Sequence, residues 1–124
     1  MDMKLERYLK GLGFTDNEIK VYLTLFRIGR AKAGRISKEC AIERTSTYNA
    51  LKRLQEKGVI SSVIEGKTRI FTHGPPEKIL DMLREKEEVV NLIIPELQSL
   101  EKFEREKENI LKFRGYAGVK TVLN

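Results

Sequence analysis

Apolar residues recur at helical spacing along most of this chain and favour an extended backbone in only one stretch. Leu5, Tyr8, Leu9 and Leu12 stand three and four apart, and Gly11 and Gly13 end that segment. Thr15-Asp16-Asn17-Glu18 has the form of a capping box, in which the Thr and Glu side chains satisfy free amides at a helix start. The helix it opens carries Ile19, Tyr22, Leu23 and Phe26 on one face, with Gly29 as a stop. A shorter helix over roughly Gly34–Ala41 buries Ile36 and Cys40, and its start is weakly capped by Lys32 and Ala33. Ile42 packs in the turn that follows. A fourth helix begins at Arg44 or Thr45 and runs to Lys57, before Gly58, with Tyr48, Leu51 and Leu54 facing inward. The pattern then changes. Val59–Ile64 is rich in β-formers, Glu65-Gly66-Lys67 is a turn, and Thr68–His73 returns with Phe71 turned inward.

Helices followed by a basic hairpin, in that order, predict a winged helix-turn-helix over 1–74, a mainly α fold with a small β-hairpin. Gly74-Pro75-Pro76 marks its boundary, and a long charged helix over 75–109 follows. Along that helix Leu83, Val90 and Leu97 repeat at sevens, joined by Ile94 and Leu100. Such a stripe needs a cover, and a second copy forming a coiled-coil-like homodimer is the expected one. Packing back onto the chain's own first helix is the competing arrangement. Pro95 lies inside the helix, where proline costs roughly 3 kcal/mol, so a kink or break near Ile94 is expected. In the tail, 110–124, Ile110–Phe113 reads as a short strand, Arg114-Gly115 as a turn and Ala117–Leu123 as the start of a helix.

Charge sharpens the picture. Residues 1–74 hold 15 Lys and Arg against 8 Asp and Glu, whereas 75–124 hold 9 against 10, so the whole excess of +6 sits in the winged-helix part. A surface that binds phosphates needs such a concentration, because neutralising phosphates releases condensed counterions. The abundance of Lys and Glu also hints at a heat-adapted source.

Catalysis and cofactors find little footing. Cys40 is the only cysteine and His73 the only histidine, so no disulfide framework, multi-cysteine zinc site, histidine cluster or conventional triad can be assembled. No glycine-rich phosphate loop occurs, and the acidic residues of 77–108 read as solubilising charges on a helix. Cys40 near basic residues has the setting of a redox sensor, but its apolar helical spacing reads as a buried structural cysteine. The expectation is a protein that is not an enzyme and has neither metal nor cofactor. No apolar run is long enough to cross a membrane and Met1–Lys10 lacks the pattern of a signal peptide, so a cytoplasmic location is expected.

The outer face of the fourth helix carries the chemistry. Arg44, Thr45, Ser46, Thr47, Asn49, Lys52 and Arg53 supply the hydroxyl, amide and guanidinium groups that bond base edges and phosphates. Lys67 at the hairpin tip and Arg69 just beyond are suited to a neighbouring phosphate or the minor groove. The plain alternatives are a solvated helix face and cations that protect an edge strand from aggregation.

Three runs, LKGLGFTDNEIKVYLTLFRIG, AIERTSTYNALKRLQEKGVI and GKTRIFTHGPPEKIL, resemble the N-terminal part of the TrmB family, largely archaeal transcriptional regulators. The resemblance covers about residues 5–100. It implies a winged helix followed by a dimerising helix, with Arg44–Arg53 as recognition helix and Lys67 and Arg69 in the wing. Glu43 departs from the family, which often has proline there, and places a carboxylate near the DNA. The string FRGYAGVKTVL resembles the opening of the effector domain in longer members, and the chain stops at Asn124 just after it, so sugar sensing is not carried over. The expected function is a homodimeric regulator that binds double-stranded DNA in a sequence-specific manner and represses by blocking polymerase. A winged-helix protein-interaction adaptor is the alternative, since fold alone does not decide function.

Overall fold

The computed structural model describes residues 3–121, and the side chains of 4–114. Helices α1 (Met3–Gly11) and α2 (Asp16–Ile28) lead to a short strand β1 (Ala31–Lys32). Helices α3 (Ala33–Cys40) and α4 (Arg44–Glu56) follow, then strands β2 (Ile60–Glu65) and β3 (Thr68–His73), then α5 (Lys78–Thr121). One compact unit ends at Leu83 and a second begins at Arg84.

Helix α2 starts where the capping box requires it. Thr15 Oγ1 accepts from the Glu18 amide at 3.2 Å, and the Glu18 carboxylate accepts from the Thr15 amide at 3.3 Å. The apolar faces of the first four helices converge with the sheet on one core, in which Phe14, Leu25, Ile36, Leu51 and Leu54 are fully buried. Ile79, Met82 and Leu83, from the first turns of α5, close it.

The expected hairpin forms, but Glu65 belongs to its strand and not to its turn, pairing with Thr68 across a two-residue loop. Gly66 has φ +66° as the first of those residues, the position where a II′ turn demands glycine. The sheet also has a third strand. Ala31 and Lys32 pair antiparallel with Phe71 and Ile70, giving the order β1-β3-β2. Two residues are too few for periodicity to reveal, and pairing with β3 is what makes them a strand.

The second unit departs from expectation in three places. Helix α5 runs uninterrupted through Pro95. Proline's fixed φ is already helical, and the carbonyl it strands faces solvent, since every residue from Arg84 to Arg114 is exposed. Ile110–Phe113 is helix, not strand, because the strong helix formers before it propagate a ladder that needs no partner, whereas a strand does. Arg114-Gly115, expected as a turn, lies inside the same helix, which carries on through it. Thr121 ends the described helix, and Val122 and Leu123 of the expected tail helix lie outside the described residues.

Candidate nucleic-acid interface

The turn between α3 and α4 sets the geometry of the site. Ala41 adopts φ 55° and ψ 43°, a left-handed cap of α3. Its amide donates to Lys38 O and the next, of Ile42, to Ser37 O, both at 3.2 Å, which is the paired pattern of a Schellman motif. Ser37 Oγ also donates to the Ile42 carbonyl. The chain thus turns within three residues, and α4 opens after its N-cap Glu43, whose side chain makes no capping bond.

Four residues of α4 are buried: Thr47, Ala50, Leu51 and Leu54. They follow the i, i+3, i+4, i+7 pattern of a single stripe. Two expectations for this helix are therefore corrected. Thr47 is fully buried, at 0% exposure, and not on the outer face. Its hydroxyl donates to the Glu43 carbonyl at 2.9 Å, which lets a polar side chain occupy a core position. Tyr48, expected inside, is 49% exposed. It shares the exposed side with Thr45 and Lys52, three and four residues away, and with the adjacent Asn49. The signal was present in the sequence: Leu51 and Leu54 extend their stripe back to 47 and 50, not to 48.

Thr45, Asn49, Lys52 and Arg53 are exposed and Ser46 is half-buried. Arg44 is exposed and folds over α3, where a Cβ added to Gly34 would stand 3.2 Å from its Nη2. Glycine inside a helix costs about 1 kcal/mol, and here it leaves room for that guanidinium.

Some cations elsewhere have acidic partners. Lys57 pairs with Glu18, Arg30 with Glu65 and Lys10 with Asp16. Among the described residues, Arg44, Lys52, Arg53 and Lys67 have none, so their charge is open to an external anion. Arg69 differs, for its Nη1 donates to Ser62 Oγ at 2.9 Å. The chain brings Arg44, Thr45, Asn49, Lys52 and Arg53 together on one helix and places Lys67 at the tip of the hairpin.

Cys40 Sγ donates to Thr24 Oγ1 at 3.2 Å. Burial pushes the thiol above its ordinary value, against the smaller lowering effects of Thr24, Arg27 and Lys20, so it stays protonated at neutral pH. Cys40 is only half-buried, not buried as its apolar spacing suggested, and its protonated thiol lacks the thiolate character of a redox sensor. Among the described residues, no helix is long and apolar enough to cross a membrane.

Comparison with known proteins agrees with this geometry. The family model described as "Sugar-specific transcriptional regulator TrmB" matches residues 9–77. The HTH-type sugar sensing transcriptional regulator TrmBL1 of Pyrococcus furiosus is 32% identical over 85 residues, which are 68% of this chain and 25% of that protein. The chain thus spans about a quarter of that relative's length. Among solved structures, a possible transcriptional regulator from Methanosarcina mazei Go1 superposes with a TM-score of 0.57 at 16% identity, over 80% of this chain and 90% of that one. A MarR family transcriptional regulator from Silicibacter pomeroyi gives 0.53 at 18% identity, over 90% and 79%. Those two likenesses speak to the fold. The family match spans more than half of the chain, and the chain belongs to the TrmB family of transcriptional regulators.

Proposed function

We propose that this regulator reads double-stranded DNA through α4, as a homodimer joined along α5, and represses by excluding polymerase. The observation that carries the reading is the exposed face of α4, where Thr45, Tyr48, Asn49 and Lys52 stand together beside Arg44 and Arg53. On the second helix of a helix-turn-helix these side chains reach base edges, while the cations and Lys67 of the wing suit the phosphate backbone. A dimer presents two such helices, and its operator carries matching half-sites. Gene control here comes from binding, without a catalytic step.

A second reading, a protein-interaction adaptor, draws on Val63 and Ile64, two exposed aliphatic residues of the wing.

Titrating the protein with random-sequence and genomically selected duplexes over a salt series tests both. A tight, selected complex with a steep salt slope is expected, and Lys67→Ala should lower that slope by about one unit. Weak binding that does not distinguish the two pools would overturn the DNA reading in favour of the adaptor.

A further inference from the structure

Gln55, Ser62 and Arg69 come from three different elements and meet at one hydroxyl. Gln55 Nε2 of α4 donates to Ser62 Oγ of β2 at 3.0 Å, and Arg69 Nη1 of β3 donates to the same oxygen at 2.9 Å. Both acceptor positions of the hydroxyl are thereby used, one of them in a charge-assisted bond.

The place of this junction follows from the register. Ser62 stands opposite Phe71, two residues from Arg69, so Ser62 and Arg69 share the sheet face that carries Ile60 and Phe71 into the core. At the base of the hairpin that face is sealed by those two buried side chains. Toward the tip the seal ends, and Ile64 on the same face is 63% exposed. The hydrogen-bonded junction takes over where apolar contact stops. A two-stranded ribbon is marginal by itself, so its pose depends on such ties. Arg30 pairs with Glu65 near the tip, whereas the Ser62 junction ties both hairpin strands to the recognition helix.

We infer that Ser62 is a positioning residue for DNA binding, holding the wing in fixed relation to α4, and that Arg69 acts through it instead of contacting phosphate. The inference rests on the DNA-binding reading above. A wing held in place before binding spares the complex the cost of ordering it. Losing the junction therefore weakens binding without removing a phosphate contact.

That distinction is measurable. Affinity for a duplex that the wild-type protein selects from a random pool is followed by fluorescence anisotropy over a potassium chloride series. Ser62→Ala and Arg69→Ala should each weaken binding roughly fivefold, the yield of one ordinary hydrogen bond. Both should keep the wild-type salt slope, and the double variant should be little weaker than either single one. Ser62→Thr, which keeps the hydroxyl, should restore affinity. Amide exchange without DNA should quicken in residues 63–68 of Ser62→Ala and stay unchanged in α4, which separates a loosened wing from a general loss of fold.

Wild-type affinity in Ser62→Ala, or a slope reduced by about one unit in Arg69→Ala, would overturn the inference and make Arg69 a direct contact. Failure of the wild-type protein to select any duplex would instead sink the DNA-binding reading, and this inference with it.

Discussion

Lys57 Nζ donates to Glu18 Oε1 at 2.9 Å, joining the first turn of α2 to the end of α4 across 39 residues of sequence. The Glu18 side chain is 1% exposed and that of Lys57 20%. The ammonium also lies 5.6 Å from the centroid of the Phe14 ring. Burial by itself would raise the Glu18 carboxyl, but the Lys57 hydrogen bond, the Thr15 bonds and the Lys57 charge outweigh it and hold the group below its ordinary value of 4.5. A depressed carboxyl stabilises the fold fully above the ordinary value, and that contribution is lost as pH falls through the folded one. Lys57→Met leaves a buried carboxylate unpaired and should cost about 3 kcal/mol in urea unfolding at pH 7. The gap to wild type should narrow in acid. Equal stability of the two proteins at pH 7 would refute this.

Tyr22, one turn after Glu18, supplies a second test. Its hydroxyl is buried and has no hydrogen-bond partner among the described residues. The ring packs on Phe14 and Phe26, with centroids 5.7 and 5.0 Å away. Tyr22→Phe keeps those contacts and removes an unsatisfied polar group, so stability should be unchanged or gain up to about 1 kcal/mol. Thermal melting decides it; a clearly lower Tm would mean that the hydroxyl is satisfied in solution.

The two sides of α4 should respond differently to substitution. Thr47→Val removes one hydroxyl bond inside the core, so stability should shift by no more than about 1 kcal/mol and DNA affinity should hold. Tyr48→Ala and Asn49→Ala lie on the exposed face and should leave melting unchanged. Asn49→Ala should weaken operator binding by about 1–3 kcal/mol, and Tyr48→Ala should weaken it too. A Thr47→Val protein that folds but no longer binds DNA would contradict this division.

Ala41 holds a left-handed conformation that costs an L-residue roughly 1 kcal/mol and glycine almost nothing. Ala41→Gly should therefore stabilise the protein by about 0.5–1 kcal/mol in denaturant unfolding. A destabilised variant would show that the Ala41 methyl makes a contact worth more than the strain.

The stripe of α5 is exposed at Val90, Ile94, Leu97 and Leu100 in the single chain, whereas Leu83 packs against the core of the winged-helix unit. Val90→Asp with Leu97→Asp should give monomers in sedimentation if a second copy covers the stripe. Sedimentation identical to wild type would remove these residues from the interface.

Much of the fold was readable along the chain because its signals are short-ranged. The Thr15–Glu18 box, Gly66 in the hairpin loop and the apolar spacing of α2 each act within a few residues, so a linear reading finds them. Helix α4 was located for the same reason, and with it the exposed positions of Asn49, Lys52 and Arg53. Its inner and outer faces were partly misread, since hydropathy alone ranks Tyr48 above Thr47 for burial.

What the sequence by itself determined was the order of elements, the turn and the concentration of positive charge in the winged-helix part, all consequences of local backbone preference and composition. Only the tertiary structure decided that Thr47 lies inside, because a carbonyl four residues back satisfies its hydroxyl. It also decided that Ala31 and Lys32 form a strand, that Lys57 neutralises a buried Glu18, and that Ser62 joins the wing to α4. Each of these depends on a partner brought close by folding, and the energy of a buried or shared polar group is set by that partner more than by the residue itself.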